Sequence, residues 1–187
     1  MDSVLFGRTL DPPLDRHGER QARALAVHFG RCTSGHDGVA IEASPRRRTR
    51  QTAIAIARTW ACPVVTEPDM DEIDFGCWGG QPFSVLWNDP RWRRWNEQRA
   101  QASTPAGESI EAVQSRAMRH LRALAHVPAR SVLIVTHAEV IRAIVLRCLD
   151  APIDRYRDLD IAPASMTTLR LQDGVARVLS VNECVPA

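Results

Sequence analysis

The chain has no lysine: all 24 of the basic residues among its 187 are arginine. This absence excludes a Walker-type phosphate loop, a protein kinase and a Schiff-base enzyme, each of which needs a lysine amine. Arginine offers instead a planar, permanently charged fork suited to bidentate contacts with phosphate or carboxylate. Long apolar runs are absent too. None approaches the roughly 18 residues of a membrane span, and MDSVLFGRTLDPPLD carries no signal-peptide apolar core, so no membrane association is expected. Cysteine is sparse and unpatterned: Cys32, Cys62, Cys77, Cys148 and Cys184 are odd in number, with no C-x-x-C pair. That excludes a disulfide framework and a structural zinc site, and predicts free thiols in a reducing, cytoplasmic compartment. Charge of one sign is not in large excess. A net charge of +2 with 44% hydrophobic residues describes a folded chain, neither disordered nor strongly basic.

What is present suits one domain over residues 1–187, long enough for a full hydrophobic core. Residues 132–150 hold its clearest signal. Val132 to Val135 is an unbroken apolar, β-branched run, the pattern of an internal strand covered on both faces. His137 follows at once, and Val140, Ile141, Ile144, Val145 and Leu149 then recur at helical spacing. A histidine at that junction lies beyond the carboxyl end of a strand and at a helix N-terminus, where free N–H groups favour an anion.

The rest of the chain alternates in the same way. Asp15 to Gly30 reads as a helix capped by Asp15 and stopped by Gly30. Residues 39–44 read as a strand, after which Ser44 caps a helix that begins at Pro45 and runs to about Thr59. Residues 63–67 read as a short strand. Residues 76–107, rich in Gly, Pro and Trp, read as an irregular excursion with one or two short helices, and Ser109 to Val127 as a long helix. Near the end, Met166–Leu171 and Val175–Val181 flank Asp173-Gly174, a hairpin signal. Strands alternating with helices predict an α/β fold with a mostly parallel central sheet flanked by helices.

The chemistry collects at helix starts. Arg46, Arg47, Arg48 and Arg50 crowd the first two turns after Ser44, where each cation is disfavoured by roughly 0.3–1 kcal/mol through the helix dipole. An anion bound at that end removes the conflict. Glu72 and Asp74, just beyond a predicted strand, offer a carboxylic acid able to protonate a leaving alkoxide.

These segments resemble a family. SPRRRTRQTA (44–53) is similar to the SPLxRAxQTA helix of the histidine phosphatases, the phosphoglycerate-mutase-like superfamily. MDEIDFGCWGG (70–80) resembles their LxExxFGxWEG segment, TPAGESIEAVQSRAMRHL (104–121) their PGGES helix, and VLIVTHAEVIRA (132–143) their VxVxTHGxxIRA segment. GRTLDPPLDRHGERQARAL (7–25) is similar to their GRxDxPLTxxGxxQAxxL stretch, and IAPASMTTLRL (161–171) to their closing strand. The resemblance implies a phosphoglycerate-mutase-like fold and a phosphomonoesterase that works through a phosphohistidine on a small phosphorylated metabolite. Glu72 and His137 would be catalytic, and Arg48, Ser44 and Ala138 would bind the substrate. No metal or other cofactor is implied, because arginine and imidazolium groups supply the positive charge. A homo-oligomer is left open.

The family's nucleophilic histidine belongs to a strand–RHG–helix segment upstream of the GRxDxPL stretch, so the usual first strand is expected to be absent here. Arg16-His17-Gly18 repeats the letters, but two prolines precede it where a strand is needed. The flanking Pro13-Leu14 and Gln21-Ala22 place Gly18 at the family's PLTxxGxxQA glycine, which leaves His17 as a variable helix-start residue. Two explanations stand: a start codon placed downstream, with a chain that lacks its nucleophile segment, or a catalytically inactive protein that binds phosphate esters. A reading of another class comes from residues 87–100, where Trp87, Trp92 and Trp95 alternate with arginines in a possible stacking surface for single-stranded nucleic acid. The small net charge favours tryptophans in the core and no nucleic acid partner.

Overall fold

Three short parallel strands position everything else. β1 (Ala40–Ala43) lies between β2 (Val64–Thr66) and β3 (Val132–Val135). Ala43 stands opposite both Thr66 and Val135, so the three strands end at one level. The computed structural model describes residues 3–31, 39–127, 131–172 and 174–185. Among these, no strand precedes the first helix. β4 (Ser165–Gln172) and β5 (Val175–Cys184) form a separate antiparallel hairpin in which Gln172 pairs with Val175. Asp173 of the predicted turn lies outside the described residues, and Gly174 takes a positive φ of 73°.

β3 departs from expectation. Its sequence is wholly apolar, yet it pairs with β1 alone and all four residues are only half-buried. It is an edge strand among the described residues, not an internal one. Apolar composition reports the two helical layers above and below a strand; it says nothing about the neighbour beside it.

The helices flank this sheet. α1 (Arg16–Arg31) opens as predicted, with Gly18 N donating to Asp15 Oδ1 at 2.7 Å. It runs through Gly30 and does not stop there. A β-carbon at Gly30 would stand 2.7 Å from Thr59 Cγ2, so glycine there permits close approach to α2 (Arg47–Trp60). The predicted cap of α2 is also corrected. The helix starts at Arg47, Arg46 is its N-cap, and Pro45 stays outside. The Ser44 hydroxyl is engaged with partners far away in sequence, as described below. α5 (Ile110–Leu124) is capped by Ser109, which accepts from Ala112 N at 3.1 Å. α6 (Ala138–Cys148) follows His137 directly.

The excursion over 76–107 contains α3 (Phe83–Leu86) and α4 (Pro90–Glu97) and builds a core of its own. Trp78, Trp92 and Trp95 are buried with ring centroids 5.2–5.9 Å apart, while Arg91, Arg93 and Arg94 face outward. With Trp92 and Trp95 inside, Trp87 is the exposed ring of that segment. Arg99 is buried between two aromatic faces, 3.7 Å from the Trp95 centroid and 3.3 Å from that of Tyr156. It also pairs with Glu139 on α6 at 2.7 Å. No helix among the described residues is long and apolar enough to cross a membrane.

Trp95 is 1% exposed and holds both this cluster and Arg99. Trp95→Ala is expected to cost about 3–5 kcal/mol, measured as a fall in the urea midpoint at unchanged slope.

Candidate active site

Because β1 and β3 end level, the residues that follow them meet. Ser44 N donates to Val135 O at 3.0 Å, and the Ser44 hydroxyl lies 2.7 Å from His137 Nε2. The same hydroxyl donates to Asp71 Oδ1 at 3.2 Å. A carboxylate only accepts, so the Ser44 proton goes to Asp71 and its oxygen receives Nε2–H of His137. That fixes the tautomer and leaves the Nδ1 lone pair free, facing Glu72 Oε2 at 3.4 Å.

Burial, and then the charges of Arg48, Arg46, Arg116 and Arg8, hold the His137 pKa well below its ordinary value. The ring is therefore neutral, in contrast to the imidazolium implied by the resemblance, and the positive charge here comes from arginine. Glu72 is shifted the other way. Burial first, and Glu139 second, push its pKa up to about 7, against the opposing pull of the Ile73 N–H and Arg48. Glu72 is thus largely a carboxylic acid below pH about 7, aimed at an unprotonated nitrogen.

The arginines at the start of α2 divide. Arg47 and Arg50 are exposed. Arg46 turns inward to Asp71, with Nη2 to Oδ2 at 3.0 Å and Nε 2.9 Å from Oδ1. Arg48 Nη2 donates to Gly7 O at 3.2 Å and reaches Glu72 Oε2 at 3.5 Å. Its Nη1 is buried without a hydrogen-bond partner among the described residues, with Asp11 Oδ1 at 3.8 Å. A buried, unsatisfied guanidinium donor beside a protonated acid suits an anion. Ala138 opens α6 at the mouth of the same cleft, and no side chain caps that helix.

The Glu72 loop is held by groups that sequence reasoning did not single out. Arg8 Nε donates to Glu72 O at 2.6 Å and its Nη2 to Glu108 Oε2 at 2.8 Å. Arg116 donates to Asp69 O at 2.7 Å, to Glu72 O at 3.2 Å and through two nitrogens to Glu108. Thr136 Oγ1 donates to Met70 O at 2.7 Å. Arg116 left a readable mark: it is a charged residue on the otherwise apolar stripe of Ile110, Val113, Ala117 and Leu121. Arg8 and Asp71 stand in loops with no periodicity to expose them. Asp74, considered as an acid, instead accepts from Gly76 N at 2.8 Å and shapes a turn.

Arg48, Glu72 and His137 line one end of a cleft of about 900 Å³. Ser44 lies beneath, fully buried. His17 is exposed on α1 with Nδ1 3.3 Å from Arg20, and is not among the lining residues. No group of three His, Cys, Asp or Glu side chains among the described residues is placed to hold a metal.

Comparison with known proteins bears on the fold and the family. The family model of the histidine phosphatase superfamily (branch 1) matches residues 2–184. A bifunctional protein of Mycobacterium tuberculosis is 33% identical over 178 residues, which is 92% of this chain and 48% of that protein. The chain thus spans about half the length of the first curated relatives it matches. Phosphoserine phosphatase 1 of Hydrogenobacter thermophilus is 29% identical over 176 residues, 92% of this chain and 82% of the relative. Among solved structures, a mycobacterial glucosyl-3-phosphoglycerate phosphatase in complex with VO3 superposes with a TM-score of 0.81 at 25% identity, covering 97% of this chain and 91% of the other. Bacillus stearothermophilus YhfR superposes with a TM-score of 0.85 at 22% identity, covering 96% and 88%, and shows the fold alone.

The raised Glu72 pKa has a stability consequence. An acid whose folded pKa lies above its unfolded value destabilises the fold once it ionises. The cost is absent below pH about 4.5, grows toward pH 7 and is complete above it. Glu72→Gln should therefore be more stable than wild type above pH 8, by up to about 3 kcal/mol, with the difference vanishing at pH 4. Denaturant melts across this range measure it.

Proposed function

The chain belongs to the histidine phosphatase superfamily, and from that membership we propose that its site hydrolyses small phosphomonoesters through a phosphohistidine. One observation carries the reading: Arg48 Nη2 and His137 Nδ1 converge on Glu72 Oε2, at 3.5 and 3.4 Å, beside the unsatisfied Arg48 Nη1. A guanidinium donor for phosphoryl oxygens, an imidazole nitrogen that becomes a second donor once protonated, and an acid for the leaving group share one point. The names of its relatives, phosphoserine phosphatase and glucosyl-3-phosphoglycerate phosphatase, support a small phosphorylated metabolite as substrate.

In this mechanism a phosphate dianion displaces the Glu72–Arg48 contact. Arg48 holds two of its oxygens, and the field of the dianion raises the His137 pKa so that Nδ1 gains a proton and donates to a third. A histidine imidazole attacks phosphorus, a P–N bond forms, the ester P–O bond breaks, and Glu72 gives its proton to the departing alkoxide. Water then attacks phosphorus, Glu72 takes up its proton, and breaking of the P–N bond releases inorganic phosphate. His137 is unsuited to attack: Nε2 is committed to Ser44, and Nδ1 serves the phosphoryl oxygens.

A second reading rests on a specific observation. His137 is the one histidine among the described residues that lines the cleft, and such a set alone makes a phosphate-ester-binding protein. Hydrolysis of p-nitrophenyl phosphate, measured beside calorimetric binding of inorganic phosphate, separates the two readings. Binding without turnover supports the binder.

Both readings share an expectation. Arg48→Gln should weaken phosphate binding by about 10- to 100-fold, the loss of one or two charge-assisted hydrogen bonds. Arg47→Gln, at an exposed position on the same helix turn, should leave it unchanged. Any hydrolysis should decline above pH about 7, as Glu72 loses the proton it must donate.

A further inference from the structure

Glu42 stands in the middle of β1, between Ile41 and Ala43, which turn into the core packed against α1 and α2. Alternation sends Glu42 to the opposite face of the sheet, toward α5. A carboxylate there needs a partner, because taking its charge out of water unpaired is costly. His120 of α5 supplies it, with Nε2 2.6 Å from Glu42 Oε2. The other ring nitrogen, Nδ1, lies 3.2 Å from Glu67 Oε2, just past the end of β2. The side chains of His120, Glu42 and Glu67 are 12%, 13% and 21% exposed, so the cluster is largely shielded from water.

Carboxylates only accept. A neutral imidazole has one N–H and would set a lone pair against one of them, so this arrangement calls for the imidazolium, which donates on both sides. The hydrogen bond to Glu42, with the charges of Glu42, Glu67 and Asp69, holds the His120 pKa above its ordinary value against the pull of burial. Arg119 of α5 is committed to Asp69, with Nε to Oδ2 at 3.0 Å. The clamp is therefore complete below pH 6.5 and is lost as pH rises through the raised value. Glu67 is also the N-cap of a single 3-10 turn, Pro68–Met70, where its Oε1 accepts from Asp69 N at 2.8 Å. Asp71 closes that turn, its N donating to Pro68 O at 3.1 Å, and its carboxylate holds Ser44 and Arg46. Glu72 comes next. The carbonyls of Asp69 and Met70 are fixed by Arg116 and Thr136. The amide end of the turn rests on Glu67, and the Glu67 carboxylate on His120.

We propose that His120 is a positioning residue for Glu72: as an imidazolium it joins Glu42 to Glu67 and holds the turn that sets the Glu72 loop, and loss of its proton frees that turn. One titratable group thus ties α5 to the ends of two strands. Arg8 and Arg116, which hold other atoms of the same loop, keep their charge at every pH of interest and cannot act in this way. The effect on proton donation rests on the reading of Glu72 as the general acid; the clamp and its release do not.

The test uses the full chain and no phosphate ester, so its outcome is independent of whether one is hydrolysed. Histidine ring 15N signals are followed against pH, beside the hydrogen-exchange protection of the Asp69, Met70 and Asp71 amides. His120 should carry two protonated nitrogens at pH 6. As it titrates, protection at those three amides should fall by about tenfold, while that of Leu25 in α1 stays constant. In Glu67→Gln the amide oxygen still accepts from Asp69 N and the amide nitrogen can donate to a neutral Nδ1. The clamp then holds without the proton, and protection should stay high over the same pH range. In His120→Gln the turn is loose at every pH. Water then reaches Glu72, whose carboxyl, followed by 13C signals, should titrate about one pH unit lower than in wild type. Wild type and Glu67→Gln carry the test should His120→Gln not fold. The proposal is overturned if the His120 ring is neutral at pH 6 or if protection is unchanged as it titrates. It is equally overturned if Glu67→Gln shows the same fall, or if Glu72 titrates alike in folded His120→Gln and wild type.

Discussion

Residue-for-residue parallel pairing of β1 with β3 brings two loops to one level, and the chemistry of the site follows from that register. Ser44 and His137 each lie just past the end of a strand, so their meeting is a property of the ladder and not of either loop. A slip of β3 by one residue against β1 would turn its side chains to the other face of the sheet and separate the two. The Ser44–His137 contact in turn sets which imidazole nitrogen is free, and the free nitrogen is the one that faces Glu72. Backbone geometry thus determines a tautomer through a single serine hydroxyl.

The second layer of organisation is electrostatic and made entirely of guanidinium. Arg8, Arg46, Arg48 and Arg116 surround the site, and Asp71 and Glu108 are the carboxylates that pair with three of them. With Glu72 in its acid form, the arginines outnumber the carboxylates around the site even when Asp11, paired with Arg48, is counted, an excess that suits an anion. An ammonium could carry the same charge, but it could not span Asp69 O, Glu72 O and both oxygens of Glu108, as Arg116 does. The planar fork lets one side chain fix the main chain of the Glu72 loop and a carboxylate together.

Much of this was legible in the sequence wherever a local pattern carries the information. Helical stripes placed α1, α5 and α6, and the apolar runs placed β1 and β3. The junction after Val135 singled out His137, and the crowded cations after Ser44 marked the start of α2 as an anion site, within which the family resemblance singled out Arg48. The errors share a cause. Ser44 reads as a helix cap by composition, but its hydroxyl is taken by Asp71 and His137, 27 and 93 residues away in sequence. Gly30 reads as a stop, yet its function is close approach to Thr59. The sequence of β3 reads as internal because apolarity records burial above and below, and no local signal records who lies alongside. Arg8 was illegible because a lone loop arginine has no pattern to break.

Arg99 ties the excursion to the helix that carries the site. It is clamped between Trp95 and Tyr156 and bonded to Glu139, which also accepts from Tyr156 Oη at 2.7 Å. Glu139 is the second residue of α6, two positions beyond His137. Swinging the excursion away from α6 would break a buried ion pair, a cost of several kcal/mol, and would leave the Glu139 charge with Arg142, at 3.5 Å, as its remaining ion-pair partner. The seating of the excursion on α6 and the charge that helps to raise the Glu72 pKa are therefore coupled mechanically.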